Sequence, residues 1–170
     1  GNLLAGGGFD RGGTMETNPC MNRAAILIGV APSFQTAAST TRLGFPQCPG
    51  GDSVIQRLAT DGDMVFAAGS TGGKDFNGGI VPAGAYVAKL SGGSQKWMST
   101  GATTPYAAAL SVDKQGNAVI VQNSKGVRIV KLDPNGTLIV DRSYPTTGTL
   151  SSRVGTSWAR PSGALPSRRR

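Results

Sequence analysis

Two stretches of this chain carry the same order of parts, and that order constrains the fold more than any other feature. Residues 53–98 begin with a strand and pass through the turn Asp61-Gly62-Asp63 into Met64-Val-Phe-Ala-Ala-Gly-Ser70. After a loop they continue as Ala85-Tyr-Val-Ala-Lys-Leu90 and close on a glycine turn between Ser91 and Ser94. Residues 106–141 repeat the order: a strand to Asp113, the turn Gln115-Gly116-Asn117, a strand from Ala118 to Ser124, Val127-Arg-Ile-Val-Lys-Leu132, and the turn Asp133-Pro-Asn-Gly136. Gly62 and Gly116 stand 54 positions apart, as do Ser70 and Ser124, whereas Leu90 and Leu132 are 42 apart. The first copy therefore holds about twelve extra residues in its middle loop. A repeat of this length, made of short strands and turn residues, marks an array whose units cover one another's apolar faces.

Composition agrees with a turn-rich β protein. Glycine (26) and proline (10) are abundant in the 170 residues, and only 15 % of the chain is charged. The longest apolar run, Ala24 to Ala31, is far too short for a membrane-spanning helix, so no membrane span is expected. Scarce glutamate (Glu16 alone) and much Gly, Ser and Thr suit an exported bacterial protein, extracellular or at the cell surface.

The chain divides into an N-terminal segment, 1–52, the two repeats within 53–150, and a basic tail, 151–170. The first segment holds both cysteines, Cys20 and Cys48, each beside a proline. In an exported protein they form one disulfide, worth about 3 kcal/mol by loop entropy; in a reducing compartment they stay thiols. Glycine-rich residues 1–23 read as loop or edge structure, and Arg23 to Ala31 as a buried strand. Residues 33–42 fit either a short helix or an extended connection. From Ser53 the pattern is clearer. Leu110, Val112, Ala118 and Ile120 alternate with small or polar neighbours across the Gly116-Asn117 turn, as an antiparallel pair requires. Val127 to Leu132 is apolar on both sides at its centre, which predicts an interior strand with neighbours on both faces.

The segments Val112-Asp-Lys-Gln-Gly-Asn117, Ile129-Val-Lys-Leu-Asp-Pro-Asn-Gly136, Gly69-Ser70 and Val87-Ala-Lys-Leu90 resemble the bacterial β-propeller repeats of the SBBP and delta-60 kind. The resemblance covers about residues 53–141 and rests on turn and packing motifs, which specify a fold and not a chemistry. It implies an all-β protein of antiparallel blade-like repeats, a partial β-propeller or an open β-array; the glycine-rich N-terminal segment before them lies outside the resemblance, and a disulfide between Cys20 and Cys48 would pin it if the protein is exported. Two clear copies are fewer than a propeller needs to close. Either a homo-oligomer or another chain completes the ring, or the blades stack in an open array, or the chain is a piece of a longer precursor; assembly is the leading expectation.

Chemistry is sparse. The chain has no histidine, which excludes Ser-His-Asp and Cys-His catalysis and histidine metal sites within it. Asp61, Asp63, Asp113 and Asp133 lie in or beside tight turns, where aspartate caps the backbone; a calcium contact at Asp61 and Asp63 lacks the spaced oxygen ligands of a dedicated site. Residues 71–79 have the glycines of a phosphate cradle but not its order, and read as a flexible insertion loop. Asn135-Gly-Thr137 fits both a glycosylation acceptor and a hairpin turn. No cofactor is indicated.

Residues 151–170 contribute +5 of the net +8 through Arg153, Arg160, Arg168, Arg169 and Arg170. Such a tail suits nucleic acid or another acidic polymer, or is a solvated terminus. Of the amphipathic aromatics Trp97, Trp158, Tyr86, Tyr106 and Tyr144, those at blade edges stack on sugars in propeller lectins, while in most β proteins they seal the core. Trp158 with Arg160 is the first candidate for an exposed contact, followed by Trp97 and Tyr106. The leading expectation is a non-catalytic, exported scaffold that self-assembles or binds a glycan or surface protein. A segment of a larger secreted enzyme and a basic-tail binder are the alternatives.

Overall fold

The computed structural model describes residues 3–9, 24–30, 37–43, 51–102, 107–124 and 126–145. Their regular structure is entirely strand, as expected of an all-β chain: β1 (Leu3–Phe9), β2 (Ala24–Val30), β3 (Ala37–Leu43), β4 (Gly51–Asp61), β5 (Met64–Gly72), β6 (Gly84–Ser91), β7 (Ser94–Ala102), β8 (Ala107–Val112), β9 (Ala118–Ser124), β10 (Gly126–Leu132) and β11 (Leu138–Pro145). They form three antiparallel meanders in which neighbours in sequence are neighbours in space: sheet I (β1-β2-β3), sheet II (β4 to β7) and sheet III (β8 to β11). None closes on itself. No helix among the described residues is long and apolar enough to cross a membrane. The glycine-rich start supplies β1 as an edge strand of sheet I, and the ambiguous residues before Leu43 supply β3.

Strand alternation sends the side chains of sheet II to two different cores. Ile55, Ala67, Tyr86, Ala88 and Leu90 pack with Ala25 and Leu27 of sheet I. Phe66, Ala68 and Val87 pack with Ala107, Leu110, Ala118, Ile120, Val130 and Leu132 of sheet III. Sheet II is thus the middle layer of a stack, covered on both faces. Burying a side chain such as Phe66, 1 % exposed, contributes roughly 1.5–3 kcal/mol.

The sheets approach most closely at their first strands, β4 lying against β1 and β2 on one side and β8 on the other. Two local features allow this. A Cβ on Gly6 would stand 2.9 Å from Ile55 Cγ2 and 3.0 Å from Leu58 Cδ1, so the bare backbone of β1 is what lets sheet I settle on sheet II. On the other side, register shifts between Ile55 and Arg57 in β4 and between Ala107 and Ala109 in β8 mark bulges. There Gln56 Oε1 accepts from the Ala107 N–H at 2.8 Å, and Arg57 Nε donates to the Ala108 carbonyl at 2.7 Å, stitching β4 to β8. Within sheet II, Gly69 is required by space: a Cβ there would lie 1.9 Å from the Val54 carbonyl oxygen.

The insertion between β5 and β6 is a loop, as its residues predict, and its turns are densely hydrogen-bonded. Thr71 Oγ1 donates to the Lys74 carbonyl at 2.7 Å and accepts from the Gly73 and Lys74 N–H groups. Asp75 Oδ1 accepts from the N–H groups of Asn77 and Gly79, and Gln95 of β7 bonds both the Phe76 N–H and the Asp75 carboxylate. Phe76 is buried edge-to-face against Tyr86, with centroids 6.0 Å apart. Residues with no strand periodicity are held here by side-chain caps and one aromatic anchor.

Candidate functional site

The aspartates do what turn chemistry predicts at two of the four positions. Asp113 Oδ1 accepts from the N–H groups of Gln115 and Asn117, and Asp133 Oδ1 from those of Asn135 and Thr137. Asp75 makes the same turn in the insertion, so three D-x-x-G-x units share one geometry, with Gly78, Gly116 and Gly136 each at positive φ. Asp61 and Asp63 flank Gly62 at the β4–β5 turn. Among the described residues no three His, Cys, Asp or Glu groups come together in a way that could hold a metal ion.

Trp97 of β7 is half-buried and acts between sheets. Its indole N–H donates to the Pro134 carbonyl of the β10–β11 turn at 2.8 Å. Its ring meets Phe66 edge-on at 6.1 Å and lies over Gly136, where a Cβ would come within 2.8 Å of it. Lys89, cross-strand from both Phe66 and Trp97, sits 5.5 Å above the Phe66 ring and donates to the same Pro134 carbonyl at 3.2 Å. This row, Phe66-Lys89-Trp97, clasps sheet II to sheet III. Tyr86 is buried, with its hydroxyl 3.5 Å from the Val54 carbonyl, and burial pushes its phenol above the ordinary range. Tyr144 is 52 % exposed. Trp158, Arg160, Tyr106, Arg153, Arg168, Arg169, Arg170, Cys20 and Cys48 lie outside the described residues.

The register of sheet III reproduces the clasping face of sheet II. Val119-Lys131-Val140 form a row across β9, β10 and β11 that matches Phe66-Lys89-Trp97, and Val121-Ile129-Arg142 match Ala68-Val87-Ser99. Val127 and Tyr144 extend the surface by one more row. In sheet II these positions face a neighbouring sheet. In sheet III the corresponding side faces away from sheet II, and Val119, Val121, Val127, Ile129 and Val140 are each half-buried. The prediction that Val127–Leu132 has neighbours on both faces is therefore half right: Val130 and Leu132 pack on sheet II, and no described residue forms a sheet over Val127 and Ile129.

Polar groups frame this surface. Lys131 Nζ pairs with Asp113 Oδ2 at 2.8 Å, and together with the Asn117 amide it holds the Asp113 carboxyl well below the usual carboxylate range. On the covered side, Arg128 grips both oxygens of Asp141, at 2.8 and 2.6 Å, and reaches the buried Gln122. That pairing lowers the Asp141 pKa and raises that of Arg128. The candidate functional surface is accordingly an apolar sheet face with a cationic and aromatic margin. The double-sided apolarity of β10 was its one signal in the sequence. No protein-family model matches this chain, and no curated protein matches it.

Proposed function

We propose that this chain is a non-catalytic, exported bacterial β-repeat protein, a partial β-propeller or open β-array whose stacked sheets serve as a self-assembling scaffold. The observation that carries this reading is a matching of positions: the register positions that sheet II uses to bind sheet III are held on sheet III by Val119, Val121, Ile129 and Val140 beside Lys131 and Arg142, with nothing described above them. Repeat units bury a continuous core only when neighbours cover both faces, so an end sheet with an interior-type face calls for a further layer. Convergence at the first strands and the shared D-x-x-G-x turns support the blade-like interpretation, in keeping with the SBBP and delta-60 resemblance. Export is supported by the composition alone.

Sedimentation velocity of the full chain tests the reading. The weight-average mass should rise above 17.3 kDa as concentration increases. A folded monomer at every concentration up to the millimolar range sinks it.

A further inference from the structure

We propose that the layer over sheet III is sheet I of a second copy of this chain, docked head to tail. This rests on the scaffold reading above and adds which two faces meet. Within one chain each contact joins the trailing face of one sheet to the leading face of the next: sheet I to sheet II through Ala25 and Leu27, and sheet II to sheet III through Phe66, Ala68 and Val87. Among the described residues two sheet faces are left without a partner sheet. One is the trailing face of sheet III, with Val119, Val121, Ile129 and Val140. The other is the side of sheet I turned away from Ala25 and Leu27.

Register places Ile26 and Ile28 of β2 on that second face, opposite Gly7 and Ala5 of β1. Both isoleucines are half-buried although their face has no described partner sheet, whereas Ala25 and Leu27, which alternate with them on the opposite face, are buried. The two rows of this face, Gly7-Ile26-Arg42 and Ala5-Ile28-Thr40 by register, are small at β1 and apolar at β2, with polar positions confined to β3, so the β1–β2 half is shallow and open to the side chains of another sheet. This parallels Gly6 on the opposite side, whose missing Cβ admits Ile55 and Leu58. The described sheets therefore leave one trailing and one leading face, the same order of faces that meets twice inside the chain. Continuing that contact between copies needs no new type of surface. Because the two faces differ, the association is heterologous, and it grows into a ring or an open filament according to the rotation per copy.

Complementation between blocked copies tests this. Val121→Lys/Ile129→Lys blocks the sheet III face, and Ile26→Lys/Ile28→Lys blocks the sheet I face. Each double variant alone should sediment near 17.3 kDa, its self-association weakened by roughly 30-fold or more, as for central anchors of an interface. An equimolar mixture should form one discrete heterodimer through the remaining pair of faces. Should the lysines in β2 prevent folding, judged by far-UV circular dichroism, Ile26→Thr/Ile28→Thr keeps the strand and weakens the same face. Leu138→Lys, on an exposed residue of the other side of sheet III, should leave association unchanged. Persistence of the assembly in Val121→Lys/Ile129→Lys overturns the head-to-tail contact while leaving self-assembly standing. Dimers of Ile26→Lys/Ile28→Lys alone would mean that sheet III pairs with itself, which also overturns it. A monomeric wild-type chain overturns both the contact and the scaffold reading.

Discussion

Sheet II and sheet III are built to nearly the same plan, and they differ in what lies on one face. In sheet II the motif lysine, Lys89, reaches across to the Pro134 carbonyl of the next sheet and rests on Phe66. In sheet III its counterpart, Lys131, turns to Asp113 of its own sheet. Where sheet II places the large rings of Phe66 and Trp97, sheet III places Val119 and Val140. The same register can thus be a finished interface or a face awaiting one. A motif that specifies the strand and its turn does not specify what the face meets.

The largest expected effect breaks this pair apart directly. Phe66→Ala should cost about 3–5 kcal/mol in urea unfolding, because it opens a cavity between two sheets. Val119→Ala, at the matching position, should cost under about 1 kcal/mol in dilute protein, since water already reaches it. Equal losses would mean that the two faces are equally covered in the single chain.

A smaller contrast isolates the clasp. Gly116 and Gly136 hold the same place in equivalent turns, at φ 77° and 86°. Alanine at either position is strained by roughly 1 kcal/mol. At Gly136 the new Cβ must also displace Trp97, while at Gly116 its nearest neighbour is Pro134 Cγ at an ordinary 3.7 Å. Gly136→Ala should therefore lower the thermal midpoint clearly more than Gly116→Ala, and in a Trp97→Leu background the two should become alike.

The smallest effect is in pH. Asp113, held down by Lys131 and Asn117, and Asp141, held down by Arg128, both have folded pKa values below their unfolded ones. Such groups contribute stability that is present at neutral pH and lost as pH falls through the ordinary carboxylate range, near 4, towards the folded value. The unfolding midpoint should decline in acid, and Asp113→Asn should flatten that decline. Both carboxylates are in contact with water, so the change is slight. A midpoint that rises in acid would contradict the assignment.

Much of the fold from Ser53 onward was legible because its turns announce themselves: Asp113 and Asp133 each cap a D-x-x-G-x turn. What escaped was structure made by absence or by contact at a distance. The glycines of β1 carry no apolar signal because their missing side chains make the space, and the insertion owes its order to Gln95, nineteen or twenty positions away. The candidate surface was half legible. Val127 to Leu132 declared an apolar strand on both sides, but strand periodicity cannot say which side is left uncovered by the stack.

Methyl-resolved NMR with a soluble gadolinium chelate tests the central claim most directly. In dilute protein the methyl signals of Val119, Val121 and Ile129 should broaden strongly, while those of Ala68 and Val87 stay sharp. At high concentration the first group should become protected to match the second. The account is contradicted if Val119, Val121 and Ile129 are shielded even in dilute monomer, or remain fully exposed however concentrated the protein becomes.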